Sequence, residues 1–225
     1  MTRSEPLEAR VVRVPAGGVQ LDGDLAITPA CEGLVLFAHG SGSSRHSARN
    51  KFVAHTLERR GFGTLLVDLL TPDEEQVDRV TAGLRFDIPM LAQRLTDVVD
   101  WLRALRETAR LRVGVFGAST GAAAALITAA DRPHSIMAVV SRGGRPDLAG
   151  HALPRVTAPT LLIVGSLDTT VLQMNRTAMA QMRGPAALEI VEGATHLFEE
   201  PGALSEVAEL SADWFVTHLN PPSTR

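Results

Sequence analysis

Ser119, Asp168 and His196 have the residue types and the chain order needed for nucleophilic catalysis. Ser119 lies in the segment GASTG at residues 117–121, where a strand-like run is followed by a helix-like run. A serine in such a sharp turn presents its hydroxyl above the sheet if small residues stand two positions away, and both positions are glycine. Because a serine hydroxyl is a weak nucleophile, it also needs a nearby imidazole that accepts its proton.

The two partners of this serine are expected at the ends of later strands. Asp168 ends the run LLIVGSLD, and His196 lies in VEGATHLFEEPG. Each also has a simpler interpretation, since Asp168 could cap the following helix and His196 could be a surface histidine. Three suitable residues in the order Ser, Asp, His nevertheless predict a triad. His196 would be the base and Asp168 would orient the imidazole.

Two backbone amides are expected to stabilise the negative charge of the intermediate. One is the N–H of Thr120, the residue after the nucleophile. The other is expected from the segment HGSGSS, whose small residues allow close approach to a carbonyl oxygen, with Ser41 favoured and Gly42 as the alternative. His39 is expected to brace this loop by hydrogen bonding.

The elements that must position these residues alternate along the chain. Two β-branched runs joined by AGG predict an antiparallel hairpin, and repeated strand–helix units then follow. This pattern predicts an α/β fold with an eight-stranded, mostly parallel sheet and helices on both faces. Residues 1–225 are expected to form a single domain without a separate lid domain, and residues 71–85 are the best candidate for a small cover.

With these residues assembled, the chain resembles the α/β-hydrolase superfamily over nearly its whole length. The segments FAHGSGSS, GASTG, GSLD and GATH carry this resemblance. HGSGSSRHSARN, DLLT, RFDI and SRGGRPDLAG are similar to the dienelactone-hydrolase-related group, including hydrolase-like proteins associated with phosphoribosyltransferase domains. Dienelactone hydrolases use cysteine at the turn where this chain has Ser119, so the resemblance favours general carboxylic esters over dienelactone.

Composition excludes several other classes of function. The net charge of −3 argues against nucleic acid as a partner. The first residues show no apolar region followed by a small-residue cleavage site, as a signal peptide would have, and no apolar run is long enough for a membrane span. The sequence therefore predicts a cytoplasmic protein without a membrane partner, either a monomer or a homodimer. The predicted chemistry requires no cofactor and no metal, and the histidines show no metal-ligand spacing.

Arginines near the predicted site suggest the charge of the substrate. Arg45, Arg49, Arg142 and Arg145 fall in loops or helix starts expected at the active edge of the sheet, where they could bind a carboxylate or phosphate. Alternatively, they form salt bridges with acidic residues such as Asp147, as exposed charges commonly do.

The predicted function is hydrolysis of small carboxylic esters or thioesters through an acyl-enzyme. The partner is then a small-molecule ester or thioester. Two alternatives remain open at this stage: an acyltransferase that uses the same triad, and a non-catalytic binding or accessory domain on the same fold.

Overall fold

The computed structural model describes residues 8–219, which contain an eight-stranded sheet surrounded by helices. The strands are β1 (Arg10–Ala16), β2 (Val19–Ala26), β3 (Gly33–Ala38), β4 (Gly63–Val67), β5 (Arg112–Ala118), β6 (Ile136–Arg142), β7 (Thr160–Gly165) and β8 (Ala186–Val191). The helices are α1 (Ala48–Arg59), α2 (Pro72–Thr81), α3 (Ile88–Ala104), α4 (Thr120–Asp131), α5 (Thr169–Met179) and α6 (Ala203–Leu219), with 3₁₀ turns at Leu84–Phe86 and Pro146–Arg155.

The sheet has the strand order β1-β2-β4-β3-β5-β6-β7-β8. Strand β2 pairs antiparallel with β1 and β4, and the remaining neighbours pair parallel. All residues of β3, β4 and β7 are buried, as expected for parallel strands that are covered on both faces. Helices α3 and α4 contribute to the apolar core on one face, and α1 and α6 to the core on the other. The predicted α/β-hydrolase fold is confirmed.

Within residues 8–219, the helices are all too short or too polar to cross a lipid bilayer.

Residues 71–85, the predicted cover, form a helix and part of a 3₁₀ turn. Helix α2 begins with a capping box, in which the Thr71 hydroxyl accepts the N–H of Glu74 and the Glu74 carboxylate accepts the N–H of Thr71. The helix ends at Ala82 in the left-handed conformation, with φ of 53°. Arg85 in the following turn then donates from Nε to Asp78 Oδ2 at 2.6 Å, which ties the turn to the helix.

Helix α2 is fastened to the body of the protein by Arg94, a buried residue of α3. Its Nη1 and Nη2 donate to the two carboxylate oxygens of Glu74 at 2.7 and 2.6 Å, and Nη1 also donates to the Leu69 carbonyl at 2.8 Å. The hydrogen bond from Arg94 outweighs the effect of burial and lowers the pKa of the Glu74 carboxyl below its ordinary value.

Replacing Arg94 by Met should reduce the free energy of unfolding at neutral pH by about 2–4 kcal/mol. The expected loss is smaller than for a fully buried pair because a quarter of the Glu74 side chain meets water. Urea unfolding of wild type and variant would measure it, with exposed Arg103→Met on the same helix as a control. Because the folded pKa of Glu74 is lowered, the pair stabilises the protein at neutral pH. Its contribution should disappear as the pH falls through that pKa.

Candidate active site

Ser119 occupies the strained turn between β5 and α4. Its backbone angles are φ 49° and ψ −120°, a conformation that costs energy for a residue with a side chain. A Cβ at Gly117 would lie 2.5 Å from Ala122 Cα, and one at Gly121 would lie 2.3 Å from the Ala38 carbonyl oxygen. Both glycines are therefore required by close packing, as the GASTG pattern predicts. The turn holds Ser119 at the N-terminus of α4, where the helix dipole favours negative charge.

Asp168 and His196 are brought together at the same edge of the sheet. Asp168 follows β7 and immediately precedes α5, and His196 follows β8. The imidazole Nδ1 lies 2.6 Å from Asp168 Oδ2. Asp168 makes no side-chain capping bond to α5, so its carboxylate serves the histidine and not the helix. A proton on Nδ1, shared with the carboxylate, leaves Nε2 as the acceptor of the ring.

The end of β6 lies between the segment that carries Ser119 and the segment that carries His196. The Ser119 N–H donates to the carbonyl of Arg142 at 3.3 Å, and a Cβ on the next residue, Gly143, would lie 3.5 Å from His196 Cε1. Ser119 and His196 both lie within the described residues 8–219, and no hydrogen bond joins Ser119 Oγ to His196 Nε2. Such bonds are often long in free enzymes and tighten when substrate binds.

His39 braces the loop that approaches Ser119 from β3. The N–H of Leu69 donates to His39 Nε2 at 3.0 Å, so Nδ1 carries the proton of the neutral ring and donates to the Gly40 carbonyl, also at 3.0 Å. Gly40 lies so near the nucleophile that a Cβ there would be 2.9 Å from the Ser119 Cβ. The loop is therefore fixed against the start of α4.

Ser41 contacts the side chain of Thr120. Its N–H, expected from the sequence to face the substrate, donates to Thr120 Oγ1 at 3.0 Å. Thr120 is buried at the first position of α4, directly after the nucleophile. The two predicted oxyanion donors thus lie side by side, and the Ser41 amide is occupied by a hydroxyl.

A cavity of about 710 Å³ opens beside this pair. The loop after β3 forms one side, and α2 with the 3₁₀ turn forms another, so the segment predicted as a small cover does line the cavity. The lining side chains are mostly polar or charged. They include Ser41, Ser43, Ser44, His46, Ser47, Arg49, Glu75, Asp78, Arg79, Arg85 and Thr120.

Arg45 and Arg145, two of the arginines considered for substrate binding, are already paired with carboxylates. The side chain of Arg45 contacts Asp68 and lies 3.4 Å from Asp24, and its backbone N–H donates to Asp68 Oδ1 at 2.6 Å. Arg145 donates to both oxygens of Asp147, at 2.9 and 2.7 Å. The salt-bridge interpretation of the sequence thus accounts for both, and Arg45 additionally holds the loop after β3 in place.

Arg142 differs because its guanidinium has no carboxylate partner in the described part of the chain, residues 8–219. The residue is only 8% exposed, and its Nε and Nη1 are buried without a hydrogen-bond partner among residues 8–219. Burial, together with the nearby charge of Arg49, lowers the pKa of Arg142 to about 10. Arg49 lines the cavity and donates to Glu199 Oε1 at 3.1 Å. Arg142 is therefore a buried cation without a carboxylate partner among residues 8–219, and its backbone carbonyl accepts the N–H of the candidate nucleophile.

The sequence analysis missed the residues that hold the cover. Neither Arg94 nor the Asp78–Arg85 pair stands out in the sequence, since buried charges on amphipathic helices resemble solvated ones until their neighbours are known. The capping box at Thr71 and Glu74 does have a sequence signal, a threonine followed three positions later by glutamate. That signal would have placed the start of α2.

Comparison with known proteins identifies relatives of this fold and sequence. The sequence profile of the dienelactone hydrolase family matches residues 27–218. The crystal structure of a dienelactone hydrolase from Anabaena variabilis is 53% identical, with a TM-score of 0.93, and the match covers 96% of this chain and 100% of that one. Est1E from Butyrivibrio proteoclasticus is 17% identical, with a TM-score of 0.76 over 92% of this chain and 97% of its own, and shows a similar fold.

A curated relative is longer than this chain. A protein of Mycobacterium tuberculosis named putative phosphoribosyl transferase is 56% identical over 217 residues. The match covers 96% of this chain and 48% of the relative. The chain therefore spans about half the length of the curated relatives it matches.

Proposed function

The chain belongs to the dienelactone hydrolase family, and we propose that it is a serine hydrolase cleaving small carboxylic esters or thioesters. Family membership supports a hydrolase. The serine mechanism is carried by one observation, the 2.6 Å contact between His196 Nδ1 and Asp168 Oδ2 next to the strained turn at Ser119. That contact orients the acceptor nitrogen of the imidazole for use by a neighbouring hydroxyl.

The reaction would proceed in two halves. Ser119 Oγ attacks the ester carbonyl while His196 Nε2 takes its proton, and the amide of Thr120 stabilises the resulting oxyanion. The Ser41 amide would donate to it directly only if the substrate oxygen replaced the Thr120 hydroxyl as its acceptor. The intermediate collapses, the leaving group takes the proton from His196, and an acyl-enzyme remains on Ser119. Water then attacks the acyl group with His196 again as base, which releases the acid and restores the hydroxyl.

The volume of the cavity, about 710 Å³, lies within the range of small-molecule sites and so suits a small ester. Its apolar side chains are few, namely Ala48, Leu69, Leu70 and Leu91. These apolar groups can contact the acyl part of an ester, while the polar and charged groups can hydrogen-bond its polar parts.

We further propose that Arg142 binds an anionic group of the substrate. The arginines considered for this role differ in what neutralises them. Arg45, Arg49 and Arg145 are ion-paired, whereas Arg142 is buried and two of its nitrogens have no partner among residues 8–219. Burying an unpaired charge is expensive, and a carboxylate or phosphate on the substrate would relieve that cost. Arg49 adds a second positive charge near Arg142. Its charge helps to lower the pKa of Arg142, and the residue lines the cavity.

Arg142→Met should lower kcat/KM for an anionic ester by roughly 10- to 100-fold, the value of a hydrogen bond to a charged group. Hydrolysis of 4-nitrophenyl hydrogen succinate would measure this effect, and 4-nitrophenyl acetate, which has no charge on its acyl group, should change little. Arg145→Met is the matched control, because its guanidinium is already neutralised by Asp147. Equal losses for the two esters would refute an anion site at Arg142.

Intact-mass spectrometry after treatment with a fluorophosphonate tests the serine hydrolase proposal directly. Wild-type protein should gain a single adduct, which peptide mapping should locate on Ser119, and folded Ser119→Ala should gain none. This probe requires an activated serine and no knowledge of the natural substrate. Wild-type protein that stays unlabelled while folded would exclude an assembled triad.

The name of the mycobacterial relatives does not alter this proposal. Phosphoribosyl transferase is the name of proteins about twice as long as this chain. The groups that this chain brings to the sheet edge, a hydroxyl, an imidazole and a carboxylate, suit attack on an ester carbonyl.

A further inference from the structure

The side-chain hydroxyl of Thr120 belongs to the residue that directly follows the candidate nucleophile and whose N–H is a predicted oxyanion donor. Its oxygen accepts the N–H of Ser41 at 3.0 Å, and the residue lines the cavity although it is only 2% exposed. Within residues 8–219, the proton of this hydroxyl has no acceptor. Because a buried hydroxyl normally donates its proton as well as accepting one, the unused donor is available to a group that enters the cavity.

The contact between Ser41 and Thr120 is held by close packing on both sides. A Cβ at Gly121 would meet the carbonyl oxygens of Ala38 and His39 at 2.3 and 2.5 Å, so the start of α4 rests directly on the end of β3. The Gly40 carbonyl also accepts the proton of the His39 ring. Turning the Ser41 N–H away from Thr120 would require this packed segment to move.

We propose that the Thr120 hydroxyl is itself a catalytic donor to the oxyanion of the tetrahedral intermediate, beside the Thr120 N–H. In this arrangement Ser41 acts through Thr120: its N–H holds the hydroxyl oxygen, so that the O–H proton faces the reacting carbonyl. No proton is transferred, and the hydroxyl stays intact throughout. The inference rests on the proposed serine hydrolase function and names a side chain in that same site.

Such a donor would act mainly on the transition state. A hydroxyl that accepts a hydrogen bond becomes a better donor, because hydrogen bonds in a chain polarise one another. The carbonyl oxygen of a bound ester carries little charge, whereas the oxygen of the tetrahedral intermediate carries a full one. Removing the hydroxyl should therefore reduce kcat far more than it changes KM.

Thr120→Val tests this role because it keeps the shape and the backbone N–H and removes only the hydroxyl. We expect kcat for 4-nitrophenyl acetate to fall about 10- to 100-fold with KM changed by less than about 3-fold. Thr120→Ser, which keeps a hydroxyl at this position, should recover most of the lost kcat. Binding of a boronic acid, which forms a tetrahedral adduct on the serine, should weaken along with kcat. A purely structural role would not produce that parallel.

Thr128→Val supplies the matched control, since it removes a buried hydroxyl from the same helix away from the site. Thr120→Ala provides a second hydroxyl-free variant should the valine fail to fold. Unchanged or increased kcat in both hydroxyl-free variants would overturn the inference, and an increase would mean that the hydroxyl competes with substrate for the Ser41 N–H. If wild type also fails to label at Ser119 with the fluorophosphonate, the serine hydrolase proposal falls as well. If wild type labels normally, only the role of Thr120 is refuted.

Discussion

Replacing His196 by Ala should lower kcat for a small ester by about 10⁶-fold, leaving only the catalysis due to binding and the oxyanion donors. Without an imidazole near Ser119, the hydroxyl proton has no acceptor, and attack would require a serine that is deprotonated only rarely near neutral pH. The loss should match that of Ser119→Ala, because residues that act as a unit give non-additive effects. Hydrolysis of 4-nitrophenyl acetate at high enzyme concentration, followed continuously or stopped at fixed times, would measure this loss of kcat.

The imidazole of His55 provides the control for this substitution. It is exposed on α1 and contacts Glu58, so His55→Ala should leave kcat within about 2-fold of wild type. A His196→Ala variant that retained more than a hundredth of the wild-type rate would show that another group is the base.

The fold was predictable because it depends on patterns that a sequence displays directly. Continuous apolar runs such as β3 and β7 can be satisfied only by strands covered on both faces, and the helix-period runs between them require parallel crossovers. The turn at Ser119 was predictable for a related reason: Gly117 and Gly121 mark a place where backbone atoms approach too closely for any Cβ. These signals are local in the chain and need no knowledge of side-chain partners.

The finer features of the site depend on which side chains meet across the fold. Arg45, Arg142 and Arg145 look alike in the sequence. In the fold, Arg45 holds the loop after β3, Arg145 pairs with Asp147 two positions later, and Arg142 is buried without a carboxylate partner among residues 8–219. Likewise, the sequence places the Ser41 amide near the nucleophile but cannot reveal that it meets the Thr120 hydroxyl. Such pairings are set by ångström-scale packing between segments far apart in the chain, which neither periodicity nor motif spacing encodes.

The cover over the cavity has one feature that the sequence displays and one that depends on packing between distant segments. Its start has a readable signal in Thr71, Pro72 and Glu74, whereas its attachment to α3 through Arg94 has none. Glu74 takes part in both, since its carboxylate caps the first turn of α2 and binds Arg94. One carboxylate thus connects helix initiation to the position of a cavity wall, and the Arg94→Met variant should therefore also change KM for esters that fill the cavity.

Replacing Asp168 by Asn should lower kcat by about 10⁴-fold while leaving the fold intact. The carboxylate now accepts at 2.6 Å from His196 Nδ1, which keeps the Nε2 lone pair available to Ser119. A carboxamide can donate its N–H to Nδ1 instead, which moves the ring proton to Nε2 and removes the base. Asp100→Asn, on the exposed side of α3, is the matched control. Fluorophosphonate labelling should slow in step with kcat, and a variant that labelled at the wild-type rate would mean that Asp168 does not set the tautomer.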